Sequence, residues 1–134
     1  MFNGVSSRWC CGFSVVLAVC LSGCGPEYPD TYKVSGKVTV GGQPASNVYV
    51  VFIPEEGRMG TGKTDENGDY KLTTFNKGDG AVPGEHTVTI SNPDNSEGTG
   101  NAGSAPIPPE YATRQTSTIK KTVENSSNTI NIEL

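Results

Sequence analysis

From residue 32 onward, apolar and polar positions alternate in short bursts separated by glycine, proline, asparagine and aspartate. Val34, Gly36, Val38 and Val40 interleave with Lys33, Ser35, Lys37 and Thr39, a period of two that predicts a strand with one dry and one wet face. Gly41-Gly42 then turns the chain. Residues 48–53 (VYVVFI) are apolar at every position and stop at Pro54, which predicts a strand in the middle of a packed sheet, covered on both faces. A short candidate strand over 61–64 precedes residues 65–69 (DENGD), whose Asn-Gly pair predicts a hairpin into residues 70–74 with Tyr70 and Leu72 facing inward. A Gly-rich connection over 75–84 ends in Pro83-Gly84, a pair suited to a type II turn. Residues 86–91 then place His86, Val88 and Ile90 on one side and Thr87, Thr89 and Ser91 on the other. Residues 117–123 and 129–134 complete the set, joined by a turn over 125–128, with Ile130, Ile132 and Leu134 sharing a face.

Seven short strands, spaced by turns and without a helical period, predict an all-β fold: a seven-stranded antiparallel β-sandwich. One interruption breaks the spacing. Residues 92–113 are dominated by Asn, Gly, Ser, Ala and Pro, and so long a loop is usually functional or disordered. Within residues 32–134 this loop contributes only Ile107 to the Val, Ile, Leu and Phe total, so the apolar residues concentrate in the strands. The domain should fold around a thin core.

The first 23 residues follow a different pattern. Arg8 is their only charge, and residues 13–21 (FSVVLAVCL) are an uncharged apolar run ending in small residues, the outline of a secretory signal peptide. The run is too short for the ~20 residues of a spanning helix. Leu21-Ser22-Gly23-Cys24 resembles the lipobox of bacterial lipoproteins at all four positions. That resemblance implies cleavage between Gly23 and Cys24, a diacylglycerol thioether on Cys24 and acylation of the new amino terminus. Two or three acyl chains suffice for stable anchoring. Residues 25–31 (GPEYPDT) carry no periodic signal and read as a tether. The expected layout is therefore a lipoprotein signal peptide over 1–23, a lipidated tether over 24–31 and the sandwich over 32–134.

Removing the leader changes the chemistry that is left. Three of the 4 cysteines lie in it and the fourth is Cys24, so the sandwich itself has no thiol for a disulfide, a zinc cluster or a nucleophile. The rest of the chain holds 9 Lys and Arg against 14 Asp and Glu, without the basic footprint of a nucleic-acid partner.

A second resemblance covers residues 34–90. Val34-Ser35-Gly36-Lys37-Val38 with Gly42-Gln43-Pro44, then Thr64-Asp65-Glu66-Asn67-Gly68-Asp69-Tyr70, then Val82-Pro83-Gly84-Glu85-His86-Thr87-Val88 resemble the three marker segments of carboxypeptidase-regulatory-like, transthyretin-like domains. With the lipobox and short tether, the layout is similar to small lipoproteins of planctomycete-type bacteria. The resemblance implies a prealbumin-like or immunoglobulin-like sandwich and no catalytic role. His86 stands where that pattern usually has an aromatic residue.

Candidate chemistry is sparse. His86 is the sole histidine, its strand parity points inward, and no serine sits in a G-x-S-x-G elbow, so it reads as a structural histidine. Asp65, Asn67 and Asp69 match the first half of a calcium loop. The twelfth position is Asn76 rather than a bidentate Glu, so the segment reads as a hairpin turn and those three residues as a weak metal candidate only. Tyr49 and Tyr111 are the candidate ligand contacts, one on an outer strand face and one in the long loop. The sequence thus points to a non-enzymatic, lipid-anchored module of the cell envelope, on its periplasmic or surface side, without a cofactor. Its membrane contact is the N-terminal lipid, and its partner is a protein or, in the alternative reading, a polysaccharide held by a carbohydrate-binding module.

Overall fold

The computed structural model describes Gly23, Gly25 and residues 27–93 and 107–134. Residues 1–22, Cys24, Pro26 and 94–106 lie outside the described residues, and with them most of the predicted leader, the lipidation position and most of the long loop. What is described is all-β, with nine strand segments in two sheets and one 3-10 turn at Pro109–Tyr111.

In chain order the strands are β1 (Val34–Val40), β2 (Gln43–Pro44), β3 (Tyr49–Pro54), β4 (Gly60–Lys63), β5 (Asp69–Lys71), β6 (Gly84–Ser91), β7 (Lys120–Val123), β8 (Asn128–Thr129) and β9 (Ile132–Glu133). The second sheet is antiparallel throughout, in the order β4-β3-β6-β7. In the first sheet β1 is central. On one side it pairs antiparallel with β5 and then β2, and on the other it pairs in parallel with β8 and β9.

The predicted count of seven, all antiparallel, is corrected in two places. Gly41 and Gly42, at φ +57° and +83°, form the two-residue turn that positive φ at both positions allows, and β2 folds back on β1 for two residues only. That ladder is too short to leave a periodic signal. The expected last strand over 129–134 is two segments, and it runs parallel to β1 because the C-terminal chain enters that edge at the end where β1 itself begins, Asn128 lying opposite Val34. Both segments keep one register, Val34 opposite Asn128 and Val38 opposite Ile132.

Gly36 explains the break between them. The Ile130 carbonyl leans over Gly36, where an added Cβ would lie 1.9 Å from its oxygen, and there it accepts the Tyr70 hydroxyl at 2.6 Å. The Lys37 N–H, left without that carbonyl, donates to Asn131 Oδ1 at 3.1 Å. The rung is thus replaced by two side-chain bonds rather than lost.

The core lies between the sheets. Val34, Val38, Leu72 and Ile132 meet Val50, Phe52, Val88 and Ile90, all buried. Phe52 from the second sheet stands 6.2 Å from the Tyr70 ring of the first and 5.8 Å from His86. As expected, Tyr70 and Leu72 point inward, and burial pushes the Tyr70 hydroxyl pKa upward. One burial expectation is corrected. β3 is interior to its sheet, yet only Val50, Phe52 and Pro54 are buried; on the other face Val51 and Ile53 are half-buried and Tyr49 is exposed, as its outer placement predicts. In β6 both faces are covered: Thr87 and Thr89 are buried, the 3-10 turn packs against the strand, and Lys120 Nζ donates to Thr87 Oγ1.

Candidate functional site

β4 pairs with β3 in the second sheet and β5 with β1 in the first, so the hairpin joining them carries the chain from one sheet to the other. Its outer end is joined by the Thr61–Thr73 bridge and its turn by the Asp65 N–H on the Asp69 carbonyl. The turn closes differently from a two-residue Asn-Gly hairpin. Gly68 has φ +79° while Asn67 keeps a negative φ, and Gly68 N–H donates to the Asp65 carbonyl across a four-residue turn.

An open cleft of about 910 Å³ runs over this junction. Lys37 and Asp69 come from the paired positions of β1 and β5, Lys63 from β4, Lys71 from β5 and Asn131 from the segment between β8 and β9. Lys37 Nζ is 3.8 Å from Asp69 Oδ1, with both side chains about half exposed, a pair that orients more than it stabilises. Lys63 Nζ sits 5.5 Å from the Tyr49 ring centroid, within cation–π range. The cleft is open and lined by Lys37, Lys63 and Lys71 together with Asp65 and Asp69, so it offers charges of both signs and suits an extended chain lying across it rather than an enclosed small apolar ligand.

The predicted site residues fall in different places. Asp65 and Asp69 line this cleft, and Tyr49, 43% exposed, borders it through Lys63. Asp65 Oδ1 accepts the N–H groups of Asn67 (2.8 Å) and Asp69 (3.0 Å), so that oxygen is used in closing the turn. Among the described residues no three His, Cys, Asp or Glu side chains converge into a set that could hold a metal ion. Tyr111 is in the 3-10 turn, half-buried against the core, and the Glu110 carboxylate that its hydroxyl bonds pushes its pKa upward. His86 is fully buried and its Nε2 donates to the Val82 carbonyl at 2.7 Å. Its Nδ1 is buried without a hydrogen-bond partner among the described residues.

The three lysines were missed as a group. Each occupies an outer position of its strand, which alternation reveals, but only the cross-strand register shows that they share a cleft.

A second exposed feature lies at the end of the sandwich where the chain enters. Tyr28, inside the predicted tether, stacks on Phe75 with ring centroids 4.5 Å apart, and the Arg58 guanidinium lies 5.7 Å from the same ring. Tyr32 then bridges Ala81 before β1 begins. The loop that presents Phe75 is held by Asp79, whose carboxylate accepts the N–H groups of Thr74, Phe75 and Asn76. Partial burial works against that charge, but these bonds outweigh it and hold the carboxyl pKa below its usual value.

No family model matches the chain, and no curated protein or solved structure matches it.

Proposed function

We propose that the protein is a lipid-anchored, non-enzymatic β-sandwich module of the cell envelope, a lipoprotein that holds a small interaction domain close to its membrane. The observation that carries this reading is the spacing between the lipobox and the folded part. Cys24 precedes by four residues Tyr28, which is already packed on the domain, so an acyl group on Cys24 would tie the sandwich itself to the membrane. The finer fold, a carboxypeptidase-regulatory-like domain of prealbumin-like or immunoglobulin-like type, belongs to the same proposal. It is supported by the coincidence of its three marker segments with β1, with the turn between β4 and β5, and with β6. Cells expressing the full chain are expected to incorporate radiolabelled palmitate into it, and a Cys24→Ala variant to incorporate none. Equal labelling of both, or of neither, overturns the anchor.

The cleft favours a second reading, in which the module holds an envelope or environmental polysaccharide. Three lysines beside an exposed tyrosine provide cations for acidic groups and a ring face for a sugar. The detergent-solubilised lipoprotein on a glycan array is expected, under this reading, to retain acidic glycans and to lose them in a Tyr49→Ala variant. Retention of no glycan overturns it.

A further inference from the structure

We propose that the end of the sandwich formed by Tyr28, Phe75, Arg58 and Met59 is a membrane-docking face, seated in the headgroup region of the bilayer that carries the acyl chains of Cys24. The inference rests on the anchoring proposed above and adds an orientation to it. Three described large hydrophobic side chains are prominently exposed, and two of them, Tyr28 (50%) and Met59 (51%), belong to this end. They are connected through one ring: Tyr28 stacks on Phe75, Arg58 lies over Phe75, and Met59 follows Arg58 in the chain.

The occupant follows from reach. Between Cys24 and Tyr28 the chain can span at most roughly 13 Å, at ~3.3 Å per residue. A cysteine acylated at the bilayer surface therefore keeps Tyr28, and the patch packed around it, within about two headgroup layers' depth of the hydrocarbon. The opposite end, at the Gly41-Gly42 turn, lies the full length of β1 away. Without the Tyr28–Phe75 stack, residues 25–31 would let the domain turn freely. With it, one end faces the lipid.

The chemistry suits that layer. Tyrosine at the interface keeps its hydroxyl in the wet zone and its ring against acyl chains, and an arginine beside it reaches phosphates. Glu55 and Glu56 share the exposed turn that carries Arg58, so the face is not a polybasic patch. Its attraction is aromatic and apolar and should persist in vesicles without anionic lipid.

The sole tryptophan is Trp9, in the predicted leader, so a single introduced tryptophan reports its own depth. The full chain would be purified from membranes as Met59→Trp and, as a control at the far end, Gln43→Trp. Each is reconstituted in phosphatidylethanolamine–phosphatidylglycerol vesicles with brominated acyl chains. Tryptophan at 59 should be quenched about twofold, as a residue at the interface is, while tryptophan at 43 stays at its solvent value. Intact mass of the same samples reads the acylation. Acylated protein with equal quenching at both positions, or none at 59, overturns the docking face and leaves the anchor standing. Absence of the acyl mass overturns both.

Discussion

Gly36→Ala is expected to be the most damaging single-methyl addition in the first sheet, with the melting temperature falling by at least roughly 8 °C. The new Cβ would lie 1.9 Å from the Ile130 oxygen and 2.5 Å from its carbon, both backbone atoms that cannot rotate away. The clash pushes the 128–134 segment off β1 and breaks the Tyr70 hydroxyl bond to Ile130. Overpacking of this kind costs about 1–3 kcal/mol and a lost buried hydrogen bond adds about 1 more. At 4–8 °C per kcal/mol for a domain of this size, the shift follows. Thermal melting of the variant beside wild type measures it, and proteolysis should release the C-terminal segment first. An unchanged melting temperature would show that the carbonyl does not need the glycine.

Phe52→Ala should have a comparable effect, about 3–5 kcal/mol. Phe52 is fully buried and is the side chain that touches both an aromatic of the opposite sheet, Tyr70, and the His86 ring of its own. Its removal leaves a cavity between sheets that are tied at the β4–β5 edge and cannot simply collapse together. Against a total of about 5–15 kcal/mol, such a loss leaves a marginal domain. Urea unfolding should show a lower midpoint with an unchanged slope, and Phe52→Leu should recover most of it. A loss below about 1 kcal/mol would mean that Phe52 is not the wedge between the sheets.

The faces of the strands were legible in the sequence, and their partners were not. Alternation placed Val34, Val38, Tyr70, Leu72, Val88 and Ile90 inward, and all are buried. Alternation reports which side of a strand is dry, and every pairing with the same dry side satisfies it equally. The parallel docking of β8 and β9 on β1 therefore left no trace. Nor did the polar cover over Thr87 and Thr89, because threonine reads as a wet residue until a neighbour such as Lys120 takes up its hydroxyl. The uniform apolar run at 48–53 misled in the opposite direction: β-branched residues suit a strand even on a half-exposed face. For the site, charges on outer parities were visible, but the cleft exists only because one hairpin spans two sheets.

The pairing of β1 with residues 128–134 also sets the order of assembly. Lys37 bonds Asn131, 94 positions later, so the first of the described strands is completed by some of the last residues described. Contacts of such long sequence separation close slowly, because the entropy of the intervening loop is lost before any pairing is gained. For a chain that crosses a membrane in extended form, as an exported lipoprotein would, this delay has a use. Were the chain exported as proposed, the first sheet would stay open until residues 128–134 had crossed, and the slow step of folding would fall on the far side.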